Sequence, residues 1–331
     1  MTEHEWCSFQ REHGYTILTK TSTAYGGIQI WEVYRYIVEE GWDEPDDPKP
    51  DGTLFFPDSV DGVPFTEIRE NAFSDAPVAD LRLPEGIRRI GASAVDKSYC
   101  RVCKIPARLE IIEDYGFCGA TFIEDTFPEH VEMIGYGAFM NCMGLRNIHF
   151  HEGLQLIEDS AFSNCGDLKT VSLPASLISI GEGVFGRCQN LRSIQLNPNN
   201  TELSLINGAL IRNSDQTMIA WFPTDMSDVC RIPDGVKRIG DDLFWGRTDI
   251  REVYLPKGVK HIGCFAFKEC KLLEQISLPD SLESIDPGAF SECNKLKRIK
   301  TSNQSLADEI LSDACGAWSS DFYWRKEREE Q

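Results

Sequence analysis

The chain of 331 residues contains 53 acidic and 33 basic residues, which gives a formal net charge of −20 at pH 7. This charge repels phosphate backbones and anionic lipid surfaces, so we expect neither a nucleic-acid partner nor membrane insertion. No stretch reaches the roughly 18 consecutive apolar residues of a membrane span, and the N-terminus has no basic segment followed by an apolar run. As written, the sequence predicts a cytoplasmic protein, or a cell-surface or secreted one if a signal has been removed.

Residues 1–63 predict an N-terminal β cap with an acidic loop. Two segments rich in β-branched and aromatic residues, 15–20 and 28–36, flank Gly26 and Gly27, which is the pattern of a hairpin. Residues 39–51 contain seven carboxylates and three prolines. Their irregular spacing does not match a calcium-binding loop, so this segment is predicted to be a solvated loop.

A repeat of 22 or 23 residues fills residues 64–301. Its phrases AFMNC, AFSNC and VFGRC each follow two apolar runs, and a proline stands 11 residues before the Phe position in seven repeats. We call each repeat a rung, and name it after the residue at that position: Phe73, Val95, Phe117, Phe139, Phe162, Phe185, Phe244, Phe267 or Phe290. Periods of this size indicate a solenoid, in which stacked rungs about 4.8 Å apart bury what one rung cannot.

Three local features are predicted within and after the repeat. The Ala-Phe-x-x-Cys phrase is read as one tight helical turn that returns the chain. At about residues 197–232 an insert lengthens one interval to 59 residues, and the segments 209–212 and 218–221 around a polar turn predict a hairpin there. Residues 302–331 form the C-terminal cap, with a helix over 305–318 that has Ser305 as its N-cap.

The cysteines are read mainly as packing residues. One repeat position holds a column of five, which we expect to be reduced and buried: Cys142, Cys165, Cys188, Cys270 and Cys293. The C-x-x-C of Cys100 and Cys103 lacks the second pair of a structural zinc site. With Cys118 and Asp125 it could converge on a metal, but a register slip that turns Asp125 outward is the simpler explanation. No metal or cofactor is therefore expected.

The outward residues beside the first apolar run form two columns on one sheet face. The columns are Asn147, Thr170, Ser193, Glu252 and Gln275, and His149, Ser172, Gln195, Tyr254 and Ser277. They could receive a polar ligand, a glycan or a peptide strand, or they could be an ordinary solvated face. On the second run, Ile111, Met133 and Leu156 form an apolar stripe, which is an interaction patch if exposed and core if the run twists.

The wording of the rungs resembles a known family. The phrases IPARLEIIEDYGF, LPASLISIGEGVFGRC and LPDSLESIDPGAFSEC closely resemble the BspA-type leucine-rich repeats of bacterial proteins, over about residues 64–300. FFPDSVDGVPFTEIRENAF looks like the usual entry rung of that family, and the insert resembles one of its irregular repeats. The resemblance implies a ligand-binding or adhesive scaffold, often surface-exposed in bacteria, with no catalytic residues to carry over.

The predicted fold is a leucine-rich-repeat solenoid, mainly β with short helical turns, with stacked parallel strands, a β-rich N-cap and a helical C-cap. The predicted function is that of a non-enzymatic scaffold presenting a repeat-built surface to a protein or glycan partner. A structural or self-assembling protein that uses the apolar stripe is one alternative. A metal-binding enzyme built on the region from Cys100 to Asp125 is another.

Overall fold

The computed structural model of the chain describes residues 15–21, 25–35, 53–73, 78–95, 100–102, 104–122, 127–223 and 227–314. The chain divides into two compact units, Met1–Ile180 (unit 1) and Gly181–Gln331 (unit 2). The acidic loop, residues 315–318 of the predicted helix, and Cys103 and Asp125 lie outside the described residues.

Unit 1 begins with the predicted hairpin, which is confirmed. Strands β1 (Tyr15–Thr21) and β2 (Ile28–Arg35) are antiparallel, and β2 then pairs in parallel with β5 (Val63–Ile68). A second short hairpin joins β4 (Ser59–Val60) to β5 through Asp61 and Gly62, which both have left-handed backbone angles. The cap is therefore continuous with the repeat through backbone hydrogen bonds.

Each rung contributes one short strand to each of two parallel sheets. We call the sheet of the first runs the first sheet and that of the second runs the second sheet. In unit 1 the second sheet continues from β5 through β7 (Arg89–Ile90), β9 (Ile111–Ile112), β11 (Met133–Ile134), β13 (Leu156–Ile157) and β15 (Ser179–Ile180). The first-sheet strands of unit 1 are β3 (Thr53–Phe55), β6 (Asp80–Arg82), β8 (Arg101–Val102), β10 (Thr121–Phe122), β12 (Asn147–His149) and β14 (Thr170–Leu173).

Unit 2 repeats this plan around the insert. It begins with β16 (Ser193–Leu196), and its second sheet runs in the order β17 (Leu203–Ile206), β18 (Ala209–Arg212), β19 (Thr217–Trp221), β21 (Arg238–Ile239), β23 (His261–Ile262) and β25 (Ser284–Ile285). Its first sheet contains β20 (Val229–Arg231), β22 (Glu252–Tyr254), β24 (Gln275–Ser277) and β26 (Arg298–Lys300), and the helix α1 (Gln304–Ala314) follows.

The phenylalanines of successive rungs stack in the core. The ring centroids of Phe139 and Phe162 lie 5.0 Å apart with an interplanar angle of 5°. In unit 2, Phe267 stacks on Phe244 at 4.9 Å and on Phe290 at 5.2 Å. All five side chains are completely buried. Burying apolar surface of this size is the main stabilising term available to a rung, and a rung can bury it only against its neighbours.

The corner that carries each phenylalanine is not the predicted helical turn. Around Phe139, three N–H groups donate to the carbonyl three residues earlier, and three alternate ones donate to the next rung. Thus Met140 N–H bonds to Gly137 O at 2.8 Å within the corner, whereas Phe139 N–H bonds to Ala161 O at 2.7 Å in the next rung. The corner is a series of tight turns, because a helix would keep every one of these bonds within its own rung.

Left-handed residues on both sides of the phenylalanine make this alternation possible. Every residue two before the Phe position has positive φ, and so does every described residue two after it. Most of these are Gly, Asn, Ser or Asp, which tolerate that region. Tyr115 at φ 56° and Phe265 at φ 54° are the two aromatic exceptions among the described residues. Each costs on the order of 1–2 kcal/mol of backbone strain.

The predicted cysteine column is buried, as expected, and it also donates hydrogen bonds. The Cys142 thiol donates to Phe117 O at 3.0 Å, and the Cys165 thiol to Phe139 O at 3.1 Å, each in the preceding rung. The Cys293 thiol bonds to Phe267 O in the same way. None of the nine cysteines that the structure describes forms a disulfide with another. The column therefore packs as small apolar residues that also bond one corner to the next.

The insert contains the predicted hairpin and also an additional rung that the sequence analysis missed. Strands β17, β18 and β19 form an antiparallel meander, and β19 then pairs in parallel with β21. Trp221 packs against Phe244 at 5.7 Å, in the place of a phenylalanine. Met218 pairs with Ile239 of the next rung, and Cys230 pairs with Val253. The interval from Met218 to Cys230 is two residues shorter than the interval from Ile239 to Val253.

The C-terminal helix caps the last rung, but its start differs from the prediction. Asn303, not Ser305, is the N-cap, because its side-chain oxygen accepts the Leu306 N–H at 3.1 Å. The Asp313 carboxylate accepts the Phe290 N–H at 2.9 Å. In six other rungs the equivalent N–H donates to the next rung. The helix therefore replaces the missing neighbour with a side chain.

Glycines before the corner leave room for carboxylates that bridge rungs. The Asp114 carboxylate accepts the Tyr136 N–H at 3.0 Å, and the preceding residue is Gly135. A Cβ at Gly135 would lie 2.6 Å from Asp114 Oδ1 and 2.7 Å from its backbone nitrogen. The same relation holds between Asp241 and Gly263. A glycine is thus required by the close approach of both the backbone and the carboxylate of the rung before it.

We predict that Gly135→Ala destabilises the protein by about 1–3 kcal/mol, the usual cost of overpacking. Gly166→Ala is the matched control, since a Cβ there meets no atom within 4 Å. Urea unfolding of both variants should separate them, with the control within about 0.5 kcal/mol of wild type. Equal unfolding midpoints for the two variants would contradict the close approach of the rungs at Gly135.

Candidate functional site

The first sheet of unit 1 presents part of the predicted polar columns. Asn147 is in register with Thr170 and His149 with Ser172. Asn147 and His149 are exposed, whereas their partners are half-buried. The Thr170 hydroxyl donates to the Asn147 side-chain oxygen at 3.0 Å. The rings of His149 and His151 meet edge to face at 4.9 Å.

The first sheet of unit 2 carries a more connected group around Tyr254. Its hydroxyl donates to the Glu252 carboxylate at 2.7 Å and accepts from the Gln275 amide at 3.2 Å. The Arg231 guanidinium lies 4.4 Å from the centre of the Tyr254 ring. The bond to Glu252 raises the pKa of Tyr254 above its ordinary value. We call Arg231, Glu252, Tyr254 and Gln275 the tyrosine cluster.

One predicted surface residue is not on the surface. Gln275 has only 4% of its area exposed, because its side chain turns toward Tyr254 instead of solvent. Glu252, Tyr254, Ser277 and Ser193 are half-buried, and Gln195 is exposed. The predicted columns are in register within unit 2, with Glu252 opposite Gln275 and Tyr254 opposite Ser277. The accessible part of the columns is therefore smaller than the sequence pattern suggested.

Charged side chains next to these columns alternate in sign from rung to rung. Arg251 pairs with Asp228 at 3.3 Å and with Glu274 at 2.6 Å. Lys297 occupies the equivalent position in the last rung, where its N–H bonds to Glu274 O. Exposed pairs of this kind contribute little stability individually, but they fix the charge pattern that a partner would meet.

The three residues of the apolar stripe are aligned across neighbouring strands, but they are only partly exposed. Ile111, Met133 and Leu156 are in register across β9, β11 and β13, and all three are half-buried. Arg89 precedes the stripe and Ser179 follows it, so both its ends are polar. The large apolar side chain most exposed among the described residues is Ile178, at 61%, which stands just before Ser179.

A group with metal-ligand chemistry lies on the second-sheet side of unit 2. One ligand atom from each of Asp241, Cys264 and Asp286 lies within 4.8 Å of the others. However, the Arg238 guanidinium bonds Asp241 at 2.8 Å and reaches Asp286 at 3.4 Å. Glu182 joins the same network, accepting the Asp241 N–H at 2.9 Å. The guanidinium therefore already supplies the positive charge that a metal ion would bring.

The Cys264 thiol lies beside the same ion pairs. Its burial, together with the charges of Asp241 and Asp286, raises its pKa to about 11. The thiol is therefore mostly protonated at neutral pH beside these ion pairs. We conclude that this group is a structural ion-pair network. Of the sequence-predicted metal cluster, the structure describes Cys100, which is buried, and Cys118, which is half-buried.

A group of aromatic and cationic residues occupies the corners of unit 2. Arg187 and Lys268 each lie 4.7 Å from the centre of the Trp245 ring, and the Phe265 ring lies 5.9 Å from it. Asp242 stands three residues before Trp245. We call these five residues the corner platform. Sequence reasoning missed them, because they occupy positions that are small or polar in most other rungs.

The family comparison agrees with this architecture. The sequence matches the BspA type Leucine rich repeat region in six copies, over residues 62–126, 110–215 and 222–316. The chain belongs to the BspA-type leucine-rich repeat family. The resemblance noted from the rung phrases is thereby confirmed, and the solenoid fold with it. No curated protein matches the chain.

Solved structures of bacterial proteins show the same fold. The pneumococcal vaccine antigen PcpA is 23% identical and gives a TM-score of 0.66, over 88% of this chain and 77% of that one. A leucine-rich cell surface protein from Faecalibacterium prausnitzii A2-165 is 19% identical with a TM-score of 0.54, over 90% and 96% of the two chains. Among the described residues of this BspA-type chain, no helix is long and apolar enough to cross a membrane.

We predict slow alkylation of Cys264 in the folded protein. With a pKa of about 11, about one thiol in a thousand is ionised at pH 8, against about a quarter for an ordinary cysteine. Peptide-resolved iodoacetamide labelling should be at least about a hundredfold slower than in the urea-unfolded chain, and should rise roughly tenfold per pH unit between pH 7 and 9.5. Asp241→Asn should accelerate it by removing a nearby negative charge. An alkylation rate in the folded protein equal to that of the unfolded chain would contradict the raised pKa of Cys264.

We predict that Asp242→Asn stabilises the protein more at pH 7 than at pH 4. Burial and the charge of Asp241 raise the pKa of Asp242 from 3.8 to about 6. The unfolded chain therefore ionises first, and the contribution of Asp242 to stability falls as pH rises through this window. After allowance for partial exposure, the pH-dependent gain should be about 1–2 kcal/mol. Thermal unfolding at several pH values measures it, and a gain that does not vary with pH would be the contrary result.

Proposed function

We propose that this protein is a non-enzymatic binding scaffold, and that the first-sheet face of each unit can contact a protein or glycan partner. The observation that carries the proposal is the register of the face. Asn147 and His149 in unit 1, and the tyrosine cluster in unit 2, stand on parallel strands whose backbones are held from rung to rung. Side chains on such a ladder keep a fixed spacing and lose little freedom on binding.

The tyrosine cluster supports the proposal most directly. Tyr254 is half-buried, is bonded to Glu252 and Gln275, and carries Arg231 on its ring. Tyrosine and arginine are the residues that most often dominate binding energy at interfaces. Here both side chains are already held in place, so they lose little conformational freedom when a partner binds. The exposed Arg298 and Lys300 of the next strand extend it.

As part of the same proposal we place the scaffold at the cell surface or outside the cell. The support is the family together with the two similar structures, one described as a vaccine antigen and the other as a cell surface protein. A binding face of this kind is useful where the partner is external to the cell. Immunolabelling of intact and of permeabilised cells distinguishes this location from the cytoplasm.

The proposal predicts that ligand binding depends on the first-sheet face. A glycan array, together with capture of proteins from the native setting, provides candidate ligands. For a true ligand, Tyr254→Ala or His149→Ala should weaken binding at least about tenfold in a surface-plasmon measurement. Lys237→Ala, which removes an exposed lysine beside the second sheet, should leave binding unchanged. A ligand that ignores both first-sheet variants would refute this face as the site.

Self-assembly through the apolar stripe is tested by a separate variant. Light scattering on wild type and on Met133→Asp compares their masses. Because the stripe is half-buried with polar ends, we expect the mass of the wild type to be monomeric and unchanged by the substitution. A wild-type oligomer that Met133→Asp dissociates would favour the structural alternative.

A further inference from the structure

Exposed cations gather in the last rung of unit 2. They are Lys295, Lys297, Arg298 and Lys300, in a chain whose net charge is −20. In the part of the chain that the structure describes, none of them lies within 4 Å of a carboxylate. Glu274 of the preceding rung bonds instead to Arg251 at 2.6 Å. Asp280 accepts the Ser302 hydroxyl, also at 2.6 Å. The four cations are therefore accessible to anionic groups from outside the chain.

The charge pattern along the first sheet of unit 2 predicts the sign of a further neighbour. The residues just before its four strands are Asp228, Arg251, Glu274 and Lys297. Arg251 bonds to the carboxylates on both sides of it, at 3.3 Å and 2.6 Å. Lys297 follows Glu274 in the same order, but the described chain has no first-sheet strand after it. A strand beside β26 that carries a carboxylate at this position would continue the alternation.

The backbone of the last rung has an open edge. β26 pairs with β24 and with no other described strand. The N–H groups of Ile232, Leu255 and Leu278 each donate to a carbonyl of the next strand, at 3.1, 3.1 and 2.9 Å. Thr301 is the next residue of this series, and its N–H has no acceptor among the described residues. Ile299 lies between two residues whose backbones bond to the preceding rung, so its own N–H and carbonyl face away from that rung.

The C-terminal helix covers the core and leaves this edge open. Ile310 and Ala314 of α1 join the hydrophobic core of unit 2. No described residue of α1 forms a hydrogen bond with β26. Ile299, at the centre of β26, is only half-buried, although the equivalent Val253 and Ile276 are completely buried. A further strand would complete the burial of Ile299.

Cations on an open strand edge also select which strands can pair with it. Natural sheets often carry lysine at such an edge, because it repels strands of the same charge and so prevents aggregation. The same charges favour a strand that carries carboxylates at the facing positions. The edge of β26 therefore repels a second β26 and attracts an acidic strand.

We propose that β26 binds an acidic peptide strand of a protein partner, which extends the first sheet of unit 2. The main chain of the peptide pairs with Ile299, and its carboxylates pair with Arg298 and Lys300. Because alternate side chains of a strand share one face, these carboxylates stand two residues apart, and the side chain between them is apolar and packs beside Ile299. The inference rests on the function proposed above, since β26 belongs to the first-sheet face and pairs with the strand of Gln275 in the tyrosine cluster.

An acidic strand satisfies more of this edge than other ligands do. An anionic glycan or a phosphate chain would pair with the cations, but it has no regular ladder of N–H and carbonyl groups for the backbone. A neutral strand would pair with the backbone and leave the cations without partners. Peptides that add to a sheet edge gain affinity from main-chain bonds and specificity from alternate side chains. Here the preferred pattern is an alternation of acidic and apolar residues.

The test is calorimetry on the full chain with an alternating Glu-Val octapeptide, its Lys-Val counterpart, and the fully N-methylated form of the acidic peptide. The acidic peptide should bind at least about tenfold more tightly than either of the others. Arg298→Glu and Lys300→Glu should each weaken its binding about tenfold. Lys237→Glu, which reverses an exposed lysine beside the second sheet, should leave binding unchanged. Hydrogen exchange of residues 297–301 should slow when the acidic peptide binds.

Four outcomes would overturn the proposal. Equal binding of the N-methylated peptide would indicate a charged surface without strand addition. Dextran sulfate that binds as tightly as the acidic peptide, with the same dependence on Arg298, would indicate a site for polyanions. Slow hydrogen exchange of residues 297–301 in the free monomer would show that the chain itself covers the edge. A mass that rises with protein concentration, and that Arg298→Glu returns to the monomer, would assign the edge to a second copy.

Failure of this inference and failure of the proposed function give different results. An acidic peptide that does not bind, together with another ligand that requires Tyr254, overturns the inference alone. Acidic-peptide binding that requires Arg298 and Lys300 supports the inference even if every other ligand ignores Tyr254 and His149. If Arg298→Glu lowers the thermal midpoint, Arg298→Gln removes the charge without reversing it and should still weaken binding about threefold.

Discussion

The alternation of hydrogen bonds at each corner is the constraint on which the rest of the structure depends. Every second N–H closes a turn within its own rung, and the others donate to the next rung. One left-handed residue on each side of the phenylalanine maintains this alternation. Because half of the corner bonds leave the rung, a rung cannot complete its structure alone. Stability is therefore shared between neighbours, and each end of the stack needs a substitute, such as the carboxylate of Asp313.

Side chains reinforce the same rung-to-rung links. Thiols of the cysteine column donate to the phenylalanine carbonyls of the preceding rung, and carboxylates such as Asp114 accept amides of the following rung. These links use positions that recur in several repeats, so they are structural. Residues free to serve a partner are those at positions where the rungs differ. That is why the proposed binding surface, formed by the first sheet, consists of variable residues.

The insert shows how a local irregularity changes the contacts between rungs. It adds a rung whose tryptophan continues the aromatic stack, but that rung is two residues shorter between its two inward positions. The flanking corners meet across it, where the Gln189 amide donates to Gly246 O, and Arg187 contacts Trp245 there. Contacts of this kind are made between rungs that are not consecutive in the regular repeat.

The sequence by itself determined the repeat, the two sheets, the buried phenylalanine and cysteine columns, and the hairpin of the insert. These follow from spacing, since residues at one repeat position must lie above one another. Only the tertiary structure decided the corner geometry, the burial of Gln275, the cap at Asn303 and the corner platform. Each depends on contacts between particular rungs: Gln275 turns to Tyr254, and Arg187 meets Trp245 across the insert. Spacing identifies which positions are equivalent, but side-chain partners depend on which rungs become neighbours.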